Sequence, residues 1–231
     1  LLFDYDLKKR NWFNIGGKAE IYFKPETLNE LVLFVKKFSS EYRIFTLGAG
    51  SNILLSDDKI LGAVIKLGKN FSNISLLSNE KIIVGSACTD KQVSDFAMEN
   101  NIGGLEFLSC IPGTIGGGLR MNSGCFGTEF KDILLSVQAL DKKGNMVTIP
   151  SNKINFGYRY SGLDRNLIFL SASLKGKHKA KNEIKEEIIF LRDKKSKSQP
   201  TQIKTGGSTF KNPINQTKEK VWELIKKSVP I

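Results

Sequence analysis

Two stretches of small residues decide what this chain can fold into. Gly48-Ala49-Gly50-Ser51-Asn52 follows a strand-like run, Ile44 to Leu47, and precedes another short one, Ile53 to Leu55. A dinucleotide loop of the G-x-G-x-x-G kind has to open a long helix, so that fold does not suit this segment. Small residues still let successive backbone N–H groups approach a diphosphate and cradle it. Ser51 and Asn52 add side-chain hydrogen bonds, although a plain tight β-turn has the same composition. Pro112-Gly113-Thr114-Ile115-Gly116-Gly117-Gly118 is the second such stretch, too rich in glycine to be a stable helix throughout. It is bracketed by Gly103 to Phe107 and by Arg120-Met121-Asn122-Ser123-Gly124. One glycine loop is commonplace, whereas two of phosphate-cradling composition point to an extended ligand such as a dinucleotide.

The 231 residues suffice for one large domain or two modest ones. No apolar run approaches the length of a membrane span, and Leu1-Leu2-Phe3-Asp4-Tyr5-Asp6 lacks a signal-peptide pattern. Cys88, Cys110 and Cys125 are too few and too scattered for a disulfide framework or a zinc site, which fits a reducing cytoplasm. The single histidine, His178, lies in a lysine-rich stretch, so neither a metal centre nor a Ser-His-Asp triad is expected. The net charge of +12 comes largely from lysines at 175–197 and 218–227, at the spacing of solvated helix faces. No nucleic-acid motif or aromatic-basic stacking pattern accompanies them. Attraction of an anionic substrate accounts for the charge as well.

Hydrophobic periodicity predicts a short strand at Ile21 to Phe23, then a helix opened by the capping box Thr27-Leu28-Asn29-Glu30. With Ile44 to Leu47, Ile53 to Leu55 and Ala63 to Leu67 as strands, this is a small β-α-β unit. Strands follow near Ile74 to Leu77 and Ile82 to Val84, then a second capped helix from Thr89 to Glu99 with Gln92 in the reciprocal position. Val137 to Leu140 and Met146 to Ile149 read as a hairpin, and Ile168 to Leu174 as a further strand. A basic helix from Lys181 to about Lys197 carries Ile184, Ile188, Ile189 and Leu191, and a last helix spans Lys218 to Lys227. The change of composition places a boundary near Lys175 to Lys181.

Two further motifs carry chemistry. Phe156-Gly157-Tyr158-Arg159-Tyr160-Ser161 sets an arginine among aromatic rings, where it either grips a carboxylate by two parallel hydrogen bonds or stacks on its neighbours at the surface. Thr205-Gly206-Gly207-Ser208-Thr209-Phe210-Lys211-Asn212-Pro213 holds a serine on a glycine bend and offers Lys211 and Asn212 to an anion, unless it is an ordinary polar turn. No histidine stands beside Ser208 in sequence; a serine that donates a proton needs no triad.

In this order the motifs resemble the bacterial UDP-N-acetylenolpyruvoylglucosamine reductases, flavoenzymes that complete UDP-N-acetylmuramate for the cell wall. The matching series is Asn14-Ile15-Gly16-Gly17, Leu47 to Asn52, Gly104 to Leu108, Ile111 to Gly118, Arg120 to Gly124, Phe156 to Ser161 and Gly206 to Pro213. The resemblance implies an α+β fold: an FAD-binding domain like that of the vanillyl-alcohol oxidase superfamily, with two α/β subdomains, and a smaller C-terminal α+β substrate domain. These fall on residues 1–177 (subdomains about 1–68 and 69–177) and on 178–231, the latter incomplete. It implies non-covalent FAD, NADPH as reductant, a nucleotide-sugar substrate, a cytoplasmic bacterial enzyme, and neither nucleic acid nor an obligate protein partner. Carried over residue by residue, the cofactor set is Gly48, Ala49, Gly50, Ser51, Asn52, Pro112, Gly113, Thr114, Gly116, Gly117, Asn122 and Gly124. Tyr158, Lys211 and Asn212 would face the substrate, Arg159 would hold its carboxylate, and Ser208 would be the proton donor. The family's third catalytic residue, a glutamate in Ser-Glu-x-His-x-Asn-Phe, has no counterpart before Pro230-Ile231, and the context of Glu219 and Glu223 does not match it. The alternatives are another flavoprotein of the superfamily and a non-catalytic flavin- or nucleotide-binding relic.

Overall fold

The computed structural model describes residues 1–199, 205–207, 209–213 and 216–229. Local signals set the first unit. The Thr27 hydroxyl accepts from the Glu30 amide at 3.2 Å while the Glu30 carboxylate accepts from the Thr27 amide at 3.3 Å, which is the expected capping box. Helix α1 (Leu28–Phe38) then turns Leu31, Phe34 and Val35 inward. It packs on a four-stranded sheet of β1 (Leu2–Asp6), β2 (Lys18–Phe23), β3 (Ile44–Thr46) and β4 (Ile60–Ile65), in the order β1-β2-β4-β3. β4 runs parallel to both neighbours, and β1 is antiparallel to β2. A register shift between Ala19 and Ile21 turns Ile21 to the α1 side and leaves Ala19 on the other face.

The strand expected at Ile53 to Leu55 does not form. The chain has to double back there so that β4 can enter between β2 and β3, and the Gly17 amide fixes that return on the Ser56 carbonyl at 2.7 Å. Ile53 and Leu55 instead pack as loop residues beneath Leu7, Ala19, Tyr22, Leu47 and Val64.

The second sheet is antiparallel throughout. It comprises β5 (Ile74–Ser78), β6 (Lys81–Gly85), β7 (Leu134–Leu140), β8 (Met146–Pro150) and β9 (Ile168–Lys175), in the order β8-β7-β9-β6-β5. β7 and β8 form the expected hairpin; Asp141 Oδ1 accepts the amides of Lys143 and Asn145, both at 2.8 Å, to close its turn. Between β6 and β7 lie α2 (Asp90–Glu99), α3 (Ile115–Met121) and the short α4 (Phe130–Ile133). α2 begins at the expected box, with Gln92 and Thr89 exchanging hydrogen bonds at 2.9 and 3.2 Å.

The second glycine stretch is not helical throughout, since Pro112 to Thr114 lie outside helix α3, but its second half is. The segment Ile115-Gly116-Gly117-Gly118 is helical despite its propensity, because tertiary contacts hold it. Thr114 caps it, the Ile115 and Gly116 amides donate to Cys88 and Ser86 carbonyls at 2.9 Å each, and Gly118 lies against Phe130. A Cβ on Gly118 would stand 2.5 Å from Phe130 Cζ and closer still to Cε2, and that ring is fully buried. Gly118→Ala is therefore expected to destabilise the protein by about 1–3 kcal/mol through overpacking, read as a fall in thermal midpoint. An unchanged midpoint would mean that the ring has room to move.

β9 unites the two bodies. Phe169, Ala172 and Leu174 belong to the large core with Val84, Leu119 and Val137, while Ile168, Leu170 and the β7 residue Leu140 join Leu31, Phe34 and Ala63 beneath α1. α5 (Lys181–Ser198) buries Ile184, Ile188 and Leu191 against the 3-10 turn Glu106–Cys110 and α2. Ile189 faces solvent, so the apolar stripe of α5 is narrower than its sequence suggests. Lys179 clamps this region by ion pairs to the buried Glu106, at 3.2 Å, and to Glu187. α6 (Val221–Ser228) starts three residues later than expected and has no buried residue. Among the described residues past His178 there is no strand, and no described helix is long and apolar enough to cross a membrane.

Candidate active site

The first loop leaves β3 and is locked onto the segment before β2. Gly50 has φ +73°, and a Cβ there would lie 2.5 Å from the Arg10 carbonyl and 2.7 Å from Asn11 Cα. Only glycine fits both the left-handed backbone and that approach. The Trp12 amide donates to the Gly50 carbonyl at 2.9 Å. Gly48 faces the second loop: a Cβ on it would stand 2.6 Å from Thr114 Oγ1. Two stretches far apart in sequence are thus in contact, backbone to side chain, with no bulk between them. Lys66, at the end of β4, donates from Nζ to the Gly48 carbonyl. Burial, then the nearby charges of Arg10 and Lys24, depress its ammonium pKa.

The second loop is held from behind by the strand-like stretch before α2. The Asp90 amide donates to the Gly113 carbonyl at 3.2 Å, and Thr89 pairs with Thr114. Thr114 Oγ1 accepts from the Gly117 amide at 3.4 Å. Pro112 and Gly117 are exposed along the loop, as Ala49 and Asn52 are on the first, while Ser51 and Gly116 are half-buried.

Asn122 connects the loops to the arginine motif. It closes α3 with φ +43°, and its buried side chain donates to Glu129 Oε2 at 2.9 Å and to the Gly157 carbonyl at 3.3 Å, while accepting from the Lys131 amide at 3.0 Å. Gly124 lies in a tight pairing with Glu129. Gly157 and Tyr160 exchange backbone hydrogen bonds at 2.8 and 3.2 Å, making a turn with Arg159 at its tip, φ +56°. The Arg159 guanidinium lies 5.5 Å from the centre of the Tyr158 ring. Tyr158 Oη accepts from the Asn212 amide at 3.4 Å, and Asn212 Oδ1 accepts from the Val221 amide at 3.0 Å where α6 begins. On the other side Gly206 lies against Phe13, whose ring is 3.4 Å from the position of a Cβ there. Lys211 is exposed, and Ser208 lies outside the described residues.

The structure thus brings together the two loops, Asn122, the Tyr158–Arg159 turn and Asn212. It adds residues the sequence reading missed: Trp12 beside the first loop, Phe13 against Gly206, Lys66 below the first loop and Asp90 behind the second. Trp12 Nε1 and Ser123 Oγ are buried without a hydrogen-bond partner among the described residues. Backbone loops in contact, a lysine below the first and buried donors suit a ligand that carries a diphosphate. For Asp90 the sequence held a signal, since it shares helical spacing with Val93, Ser94 and Ala97 and so puts an acid on an apolar stripe.

Comparison with known proteins agrees with this geometry. Residues 19–150 match the family model described as an FAD binding domain. The UDP-N-acetylenolpyruvoylglucosamine reductase of Pelagibacter ubique (strain HTCC1062) is 63% identical over 229 residues, which span 99% of this chain and 76% of that protein. Among solved structures, the UDP-N-acetylenolpyruvylglucosamine reductase from Thermus caldophilus superposes with a TM-score of 0.83 at 30% identity, over 96% of this chain and 78% of that one. p-Cresol methylhydroxylase shares the fold, with a TM-score of 0.52 at 16% identity over 72% of this chain and 37% of that one. With likeness of this extent laid over two touching small-residue loops, the chain belongs to the UDP-N-acetylenolpyruvoylglucosamine reductase family and is an FAD-containing oxidoreductase.

Proposed function

We propose that this enzyme uses NADPH to reduce UDP-N-acetylglucosamine enolpyruvate to UDP-N-acetylmuramate, in the cytoplasmic assembly of bacterial peptidoglycan precursors. The observation that carries the reading is the contact of Gly48 with Thr114 together with the Asn122–Gly157 hydrogen bond, which puts the Arg159 turn on the framework of both loops. In this reading residues 1–177, as subdomains of about 1–68 and 69–177, hold the cofactor, and 178–231 contribute to the substrate side.

When bound, FAD would supply the hydride chemistry that links NADPH oxidation to reduction at the terminal carbon of the enolpyruvyl group. The protein does the rest. Gly48 to Asn52, Pro112 to Gly117, Asn122 and Gly124 orient the cofactor through amides and short polar side chains. Lys211, Asn212 and Tyr158 receive the nucleotide-sugar diphosphate. Negative charge grows on the substrate carboxylate as hydride arrives, and the Arg159 guanidinium stabilises it most at that moment. Ser208 then donates its proton to the adjacent carbon. A hydroxyl is a weak acid, but the carbanion-like carbon is basic enough that position matters more than a shifted pKa.

The test follows the visible flavin absorbance anaerobically. It should bleach on addition of NADPH and recover on addition of the enolpyruvyl substrate. Bleaching without recovery would favour a different flavoprotein substrate or a binding relic, and a colourless protein that takes up no FAD would end the reading.

A further inference from the structure

Asp90 breaks the rule that an aspartate is almost never fully buried unless it is paired. It is fully buried, and neither carboxylate oxygen has a hydrogen-bond partner among the described residues. Ser94, one turn along the same buried stripe, has an unpartnered hydroxyl as well. The Asp90 carboxyl group is aimed at the second loop: Oδ2 lies 2.6 Å from where a Cβ of Gly113 would stand. The backbone of the same residue holds that loop, amide to the Gly113 carbonyl at 3.2 Å, and Thr89 beside it pairs with Thr114. Thr114 in turn is the residue against Gly48.

We infer that Asp90 is a positioning residue for the cofactor, its buried carboxyl group backing Gly113 and holding the second small-residue loop against the first. The inference rests on the reading that this loop lies along the flavin diphosphate. Asp90 performs the role as the neutral acid. Burial pushes its carboxyl pKa up to about 8, with no cation to offset it. The groups around it are few in charge. Cys88, before it, is a thiol pushed up to about 11 by burial and then by the charge of Asp90. Lys91, after it, is exposed and paired with Asp95. Val93, Ser94 and Ala97 on α2, and Gly113, Thr114 and Ile115 on the facing loop, carry none.

The sign follows from linkage. The unfolded carboxyl loses its proton near the ordinary carboxylate range while the folded one keeps it, so stability falls as pH rises from about 4 to about 8. Once Asp90 ionises, an unpaired charge lies behind an anion site, and FAD is repelled. Flavin fluorescence quenching, measured on the whole protein at pH 7 and pH 9, reads this directly. In the native protein FAD should bind about fivefold more weakly at pH 9 than at pH 7, the part reached by then of the roughly tenfold limit that one pKa unit of coupling sets. In Asp90→Asn, which cannot ionise, the change between pH 7 and pH 9 should shrink below about twofold, whatever the affinity at pH 7. An equal pH dependence in both proteins, or none in the native one, overturns the inference. Should Asp90→Asn fail to fold, infrared spectroscopy of the native protein carries the test. A protonated-carboxyl band at pH 7 that titrates together with FAD affinity supports the role, and its absence overturns it. Native protein that binds no FAD at any pH contradicts the cofactor reading itself rather than the role of Asp90.

Discussion

Ser208→Ala should leave the reduction of bound flavin by NADPH within about twofold of normal and slow reduction of the enolpyruvyl substrate by about 10²- to 10⁴-fold, the range of a positioned general acid. The asymmetry is the point. NADPH oxidation needs no proton from the enzyme at the substrate carbon, whereas the second half-reaction cannot finish without one. Stopped-flow absorbance separates the halves: bleaching by NADPH, then recovery with substrate under anaerobic conditions. Threonine at the same position, which keeps a hydroxyl, should recover part of the rate. Equal losses in both halves would show that the change had disturbed the cofactor and would remove Ser208 from the acid role.

Arg159→Lys is expected to lower kcat/KM for the enolpyruvyl substrate by about 10²- to 10³-fold, comparable to removal of one stabilising donor from a developing anion. Charge is kept, but the two-pronged planar grip is not. Both residues bear a Cβ, so the strain of φ +56° at the tip of the Gly157–Tyr160 turn is common to the pair and cancels. Flavin reduction by NADPH should be unaffected. Near-normal turnover would mean that Arg159 grips no carboxylate and serves the turn alone.

What the sequence revealed about this protein was mostly local. The boxes at Thr27–Glu30 and Thr89–Gln92 need only four consecutive residues, and both formed as read. The hairpin around Asp141 is local in the same way. That α3 takes in three glycines in a row was not legible locally, because Phe130 and Ser86, which favour it, lie outside the stretch. The Ile53 to Leu55 reading failed for a topological reason: β4 occupies the slot between β2 and β3, and apolar alternation does not say which segment takes it. At the site, each loop could be picked out by composition, but the meeting of Gly48 with Thr114 could not. Asp90 received no reading, although its spacing with Val93, Ser94 and Ala97 puts it on the face of α2 that the fold buries.

The sharing of β9 between two cores constrains how the molecule can work. Alternate residues of one strand, Ile168 and Leu170 against Phe169, are built into different interiors. Swinging one sheet relative to the other would tear apolar surface from both interiors at once. The two sheets are therefore welded into one body, whereas α6, which buries no residue, shares in neither interior.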